Sequence, residues 1–457
     1  MQNILEVATK NKFSKEGNND RGDEKNVELG LNNYYSFIDL ASSQIKMNKR
    51  NIMMISIHGD PTAEIGSEEQ GGQPIYIKDI CRLLLRDFQI DVFTRKNAFE
   101  ENIVELFPGV NVVKVEAGTV EFIPKEKIYL YLNEFFMNIT RWIEQNKKKY
   151  SLVHSHYWYS GSVALKLKDY FEIPMVHNCH SLGRIKYEIL KEDKPPFADM
   201  RLLEEELILK RANAVIASTP QEVKNILDLY NVAGENIELI RAGVDERLFK
   251  PIEKTMAIKE IGLDFKNVIL FVGRITKAKG LRILINALAK VKREFNKELK
   301  LLIIGGDISN VMHSEIESDE KKYIKKLINK TDLSDDVIFL GPVEREKLPY
   351  YYSIADICVV PSLYESFGLV AVEAMACGTP VIASKVGGLA HTIKDGYSGL
   401  HFVPGRADHL AKKILGIITD SERLKEMGIN ARIRTAREFG LERTARQIKG
   451  LYESLIF

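Results

Sequence analysis

Between residues 52 and 242, seven apolar runs of strand length recur, each separated by a segment long enough for a helix. They are IMMISI, QIDVFT, VNVVKV, SLVHSH, PMVHNC, AVIAST and IELIRA. Strands interleaved with helices require crossover connections, so the sheet they build is parallel and covered on both faces. The rhythm pauses in the charged stretch AGVDERLFKPIEKTMAIKEIGLDFK and then restarts as NVILFVG, LKLLIIGG, DVIFLG, ICVVPS, TPVIAS and GLHFVPG. Two such series predict an α/β chain with two doubly wound, Rossmann-like domains facing across a cleft. Ligands are expected beyond the carboxyl ends of the strands. The expected boundaries are a polar extension over 1–49 with one short helix, a first domain over 50–247, a second over 248–435, and a C-terminal helix over 436–457 that returns to the first domain.

The 457 residues carry 65 basic and 63 acidic side chains, a net charge of only +2. That balance argues against a nucleic-acid binder, which would show a large basic excess. Cys81, Cys179, Cys358 and Cys377 form no C-x-x-C pair. Reduced, buried thiols are the expectation. The opening MQNILEVATKNKFSKEGNND lacks the apolar core of a signal peptide. No run reaches the roughly 20 apolar residues of a membrane span, and a cytoplasmic location is expected.

Chemistry concentrates at the strand ends. In PSLYESFGLVAVEAMACGTPVIAS, Glu365 closes a strand and Glu373 follows eight residues later, inside a helix that starts near Gly368. The backbone N–H groups of Phe367, Gly368 and Leu369 would then face a bound oxygen, as helix N-termini do. Glu373 could accept from two adjacent hydroxyls, such as those of a ribose. In FVGRITKAKGL, Arg274 leaves a strand and Lys279 precedes Gly280. Two cations five residues apart suit a diphosphate, while Lys277 reads as solvated. GSEEQGGQP lies between a strand and a helix but is neither a P-loop nor a dinucleotide fingerprint. Gly71 and Gly72, lacking Cβ, would let backbone N–H groups approach a phosphate, or would serve a turn needing positive φ.

In order, SIHGDP…GGQ, HSHYWYSG, HNCHSLGRIKYE, ANAVIASTPQE, GVDERLF, GRITKAKG and the E-x7-E pair of Glu365 and Glu373 resemble retaining glycosyltransferases of the GT-B architecture, family 4 type. The likeness runs over nearly all of residues 51 to 450. It is nearest to the branch of sucrose-phosphate synthase, mannosylfructose-phosphate synthase and inositol-phosphate glycosyltransferases. The resemblance implies a catalytic set of His180, Arg274, Lys279 and Glu365, with no metal and no cofactor. It implies a nucleotide-sugar donor, with a UDP-sugar expected, held by Gly71, Gly72, Arg274, Lys279, Phe367, Gly368, Leu369 and Glu373. It implies that Gln73, Lys125, Tyr157, Ser181 and Arg201 meet a phosphorylated sugar or cyclitol acceptor, with Arg184 and Lys186 as nearby cations. His58, His154, His156 and His177 read as structural. The segment 341–347 is expected to read the base.

By the same resemblance the departing diphosphate takes the acceptor's proton and the sugar keeps its anomeric configuration. Alternatives are a transferase with a non-phosphorylated aminocyclitol, lipid or polysaccharide acceptor, and a sugar-nucleotide epimerase. Neither alternative needs a phosphate cluster. Oligomerisation is compatible with the sequence.

Overall fold

The structure of the protein, a computed structural model, describes residues 49–63, 71–99, 101–190, 194–306 and 319–456. The expected helix in the N-terminal extension and residues 66–70 of the glycine-rich stretch lie outside them. Two sheets hold the strands. The first contains β1 (Arg50–Ile55), β2 (Phe88–Arg95), β3 (Ile103–Phe107), β4 (Val110–Val115), β5 (Leu152–His156), β6 (Met175–Asn178), β7 (Ala214–Ala217) and β8 (Ile237–Leu239). Its order is β3-β4-β2-β1-β5-β6-β7-β8. The second contains β9 (Val268–Val272), β10 (Lys300–Ile304), β11 (Val337–Gly341), β12 (Ile357–Val360), β13 (Val381–Ser384) and β14 (Gly399–Phe402), ordered β11-β10-β9-β12-β13-β14.

All pairings are parallel except that of β3 with β4. β3, with the burial pattern of an exposed ribbon, is absent from the seven runs read in the sequence. Its half-polar IVELF has no long apolar core, and it pairs antiparallel across a tight turn at Gly109 (φ +87°). The central strands are buried on both faces, as parallel strands covered by helices must be.

Each sheet reverses its winding at one place. In the first sheet the chain builds outward from β1 through β2 to β4, then returns to add β5 on the other side of β1. In the second it builds from β9 through β10 to β11, then returns to add β12 beside β9. These switch points leave crevices beyond the carboxyl ends of β1 and β5, and of β9 and β12, where ligands of open α/β sheets bind. The glycine-rich stretch follows β1, Tyr157 follows β5, Arg274 follows β9, and Glu365 follows β12.

One apolar cluster is continuous through both halves, from Ile52 and Ile80 through Phe249 to Val360 and Tyr452. The last helix, Leu441–Ile456, packs against the first sheet. There Tyr452 is fully buried, sets its ring edge-on to Phe88 at 5.6 Å, and donates to His154 Nδ1 at 2.6 Å. All four cysteines are buried free thiols. No helix among the described residues is long and apolar enough to cross a membrane.

Candidate active site

On the second half, the loops after β9 and β12 are locked together. Gly280 adopts φ +70°, and a Cβ there would lie 2.0 Å from the carbonyl oxygen of Pro361. Only glycine permits that approach. Leu363 N donates to Ala278 O at 2.8 Å. The clasp sets Lys279 Nζ 2.7 Å from Glu365 Oε2, which also accepts from Ser362 Oγ at 3.3 Å. Lys279 and Glu365, read separately in the sequence, are thus an ion pair. Arg274, two residues beyond β9, is exposed.

The helix after Glu365 runs Leu369–Ala376 and is capped by Gly368 at φ +94°. Phe367 is buried and meets Phe439 edge-on at 5.8 Å. Glu373 lies deeper than a ribose ligand on an open surface would require. It is 6% exposed, accepts from Tyr352 OH at 3.1 Å, and has its pKa raised to about 7, chiefly by burial and against the attraction of Arg345. Arg345 in turn grips Asp79 of the helix Gly72–Leu84 with two hydrogen bonds, 2.8 and 2.7 Å. That pair joins the two halves and was not foreseen. Its members are 266 positions apart, with no local pattern to link them.

On the first half, Gly71 caps the helix Gly72–Leu84 in an extended conformation, φ −163°, open to most residue types. Neither Gly71 nor Gly72 has the positive φ that a strained turn would need. Among the described residues, a Cβ on Gly71 would meet nothing within 4 Å, and one on Gly72 would only touch Leu369 across the cleft at 3.4 Å. Gln73 turns its amide to Ser56 Oγ at 3.0 Å.

A cationic cluster sits at the ends of β5 and β6. Tyr157, at φ +73°, is buried with its ring under Lys125 Nζ at 4.0 Å and the Arg201 guanidinium at 5.1 Å. Arg201 is 2% exposed, so it is no surface residue. Its Nε donates to Glu205 at 2.7 Å, and its Nη2 to Ser181 O and Oγ, both at 3.3 Å. Glu205 also accepts from Gly183 N and from Tyr230 OH. A Cβ on Gly183 would lie 2.9 Å from Arg201 Nε, which makes glycine the fitting residue there. Arg184 is held elsewhere, 3.4 Å from Glu206 and over the Tyr230 ring.

Desolvation lowers the Lys125 ammonium pKa to about 7, helped by repulsion from Arg201, Lys186 and Arg274. Arg274 acts from the opposite half, so cations from both sides of the cleft converge on one place. Positive charge gathered in this way favours an anionic ligand.

His180 follows β6 at φ +55° and lies 5.6 Å from the Tyr76 ring. Its carbonyl accepts from Ser366 Oγ at 2.6 Å, and Tyr364 OH accepts from Leu182 N at 3.4 Å. The loop that carries Glu365 therefore also grips the backbone around His180. Its Nε2 is 3.0 Å from His156 Nδ1. Burial, followed by the charges of His154 and Lys125, pushes the His180 pKa down to about 3. His156, read as structural, is thus directly tied to His180.

Comparison with known proteins gives the family. Residues 70–248 match the family model for Glycosyltransferase Family 4, and residues 253–434 that for Glycosyl transferases group 1. The chain is similar to a D-inositol 3-phosphate glycosyltransferase of Kribbella flavida, 34% identical over 89% of this chain and 96% of that protein. A protein of the same name from Corynebacterium jeikeium is 34% identical over 88% and 96%. Among solved structures, sucrose-phosphate synthase from Thermosynechococcus elongatus superposes with a TM-score of 0.81 at 35% identity, covering 89% of this chain and 99% of that one. On this evidence the chain belongs to the GT-B glycosyltransferases that carry family 4 and group 1 domains.

Proposed function

We propose that the protein is a retaining glycosyltransferase that moves a hexosyl group from a nucleotide sugar, a UDP-sugar, to a small phosphorylated cyclitol or sugar. The observation that carries this reading is the packing of Lys125 Nζ and the Arg201 guanidinium on the Tyr157 ring, with Ser181 bonded to Arg201 and the charges of Lys186 and Arg274 acting on the same ammonium. The relatives that share most of its length are named for an inositol phosphate acceptor, and the 35%-identical structure is a sucrose-phosphate synthase.

In this reading the bond from the anomeric carbon to the diphosphate oxygen breaks as the bond to the acceptor oxygen forms on the same face. The acceptor's hydroxyl proton passes to the departing diphosphate oxygen. Arg274 and Lys279 neutralise the charge that grows there, assisted by the N–H groups of residues 367–369 and the helix N-terminus at Gly72. Glu365 orients Lys279 and meets the sugar, as His180 does, while Glu373 serves the ribose. Lys125, Tyr157, Ser181 and Arg201 hold the acceptor phosphate. The domain boundaries proposed above and a cytoplasmic setting belong to the same reading.

The test is nucleotide release from UDP-, ADP- and GDP-glucose, each with and without inositol phosphate or fructose 6-phosphate. Release that requires one phosphorylated acceptor is the expected result, with product anomers matching the donor by NMR. Release that is indifferent to the acceptor's phosphate, or an inverted product, would refute the corresponding part.

A further inference from the structure

His156 ends β5 and His180 follows β6, and one hydrogen bond of 3.0 Å joins His156 Nδ1 to His180 Nε2. Both rings are neutral near pH 7, because burial holds each below the usual histidine range. Each ring therefore carries one proton, and one of the two protons must lie in the shared bond. The location is decided at the far side of His156, whose Nε2 is buried with no hydrogen-bond partner among the described residues.

Its neighbour cannot supply one. His154 lies tilted against His156 with centroids 4.4 Å apart, but both His154 nitrogens are engaged, Nε2 with Asn178 Oδ1 at 2.9 Å and Nδ1 with Tyr452 OH at 2.6 Å. Were the shared proton on His180, His156 would carry its own on Nε2 as a buried, orphaned N–H, the arrangement folded proteins avoid most strictly. With the shared proton on His156 Nδ1, its Nε2 is a bare nitrogen and no donor is stranded.

We infer that His156 is a positioning residue: it donates from Nδ1 to Nε2 of His180 and fixes His180 as the Nδ1–H tautomer. The backbone of His180 is held at the same time by Ser366 Oγ on its carbonyl. The ring then offers a donor, not an acceptor, to a hydroxyl of the transferred hexose, a consequence that rests on the proposed function. A sugar hydroxyl bonded by that N–H would in turn be free to donate elsewhere, which fixes its orientation.

The experiment is long-range 1H–15N correlation on the full chain labelled at its 9 histidines, without ligands. His180 is assigned by the resonances lost in His180→Gln. The wild type is expected to show His180 protonated at Nδ1 and bare at Nε2. His156→Asn, whose Nδ2 can replace Nδ1 as donor, should keep that pattern. His156→Asp, an acceptor only, should reverse it. Wild-type protein protonated at Nε2 of His180 overturns the inference by itself, even if the Asp variant does not fold. So does a folded His156→Asp variant that keeps the Nδ1 proton. Kinetics test the consequence separately. His156→Asp should lower kcat by about 10- to 100-fold, with acceptor KM unchanged and His156→Asn near wild type. Reversed tautomers with wild-type kcat would refute the hexose contact and leave the tautomer assignment standing.

Discussion

Replacing Lys125 by methionine separates what the cationic cluster costs the free protein from what it gives to a ligand. The ammonium lies 4.0 Å over Tyr157, and desolvation with three facing cations takes its pKa from 10.5 to about 7. At about 1.36 kcal/mol for each factor of ten in proton affinity, this would be worth about 5 kcal/mol in a dry site. Lys125 keeps much of its surface in water, and screening reduces the figure to about 1 kcal/mol. Because the folded pKa is depressed, the unfolded chain holds the proton between about pH 7 and 10.5 where the folded chain does not. Stability of the free protein therefore rises with pH across that window. The Met variant removes the repulsion, so at pH 6 it should be about 1 kcal/mol more stable than the wild type in urea unfolding, the gap closing as pH rises from about 7 to 10.5. Acceptor binding should move the opposite way. Losing one charge-assisted hydrogen bond to a phosphate, about 1.5–3 kcal/mol, raises acceptor KM roughly 10- to 100-fold. Calorimetry in buffers of different ionisation enthalpy should show proton uptake when phosphorylated acceptor binds wild-type protein at pH 8, and none with the variant. A variant that is less stable than the wild type, yet binds the acceptor equally well, would refute the argument.

Lys279→Met breaks a half-exposed pair, so it should cost at most about 1 kcal/mol in urea unfolding. The same variant should lower kcat in the release assay about 100- to 1000-fold through lost leaving-group stabilisation. Glu373 has its folded pKa raised to about 7, so its contribution is present below about pH 4.5 and is lost as pH rises through about 7. Glu373→Gln should flatten that loss, up to about 3 kcal/mol between urea midpoints at pH 5 and pH 8. Arg345→Met leaves Asp79, 7% exposed, without its partner and should cost about 3–5 kcal/mol, seen in thermal melts, while adding Asp79→Asn should restore part of it.

The two-sheet organisation was legible because parallel strands must be apolar on both faces, and thirteen such runs stand out against helices rich in Lys and Glu. β3 escaped for the converse reason. An edge strand paired antiparallel needs no continuous apolar run, and IVELF alternates like many exposed segments. The last helix could be expected to return to the first sheet only by resemblance. What holds it there is a set of distant contacts, Tyr452 to His154 and Thr444 Oγ1 to Arg241 O at 2.8 Å, which leave no periodic trace.

The site divides along the same line. Residue types suited to such a reaction at strand ends, such as Arg274, Lys279 and Glu365, announce themselves by chemistry and by their place beyond an apolar run, whereas Lys125 was named only through the resemblance. How they are paired does not. Lys279 and Glu365 share one ion pair because Gly280 brings two loops within backbone contact, and that closeness depends on φ +70° at a single residue. Glu373 was legible as a carboxylate of the E-x7-E pair but not as a buried one, since its surroundings are Tyr352 and the Arg345–Asp79 bridge between the halves. The histidines follow the same logic. In HSH and HNCH, His154, His156 and His177 read alike as structural, and only His180 was set apart by resemblance. Yet His154 is saturated by Asn178 and Tyr452, whereas His156 retains an unpartnered nitrogen behind its bond to His180. Alternation along β5 sends successive side chains to opposite faces, which puts His154 and His156 on one side with their rings in contact. Which of the two is structural is then decided by partners contributed from β6 and from the far end of the chain, so a role for His156 becomes visible only once those contacts are known.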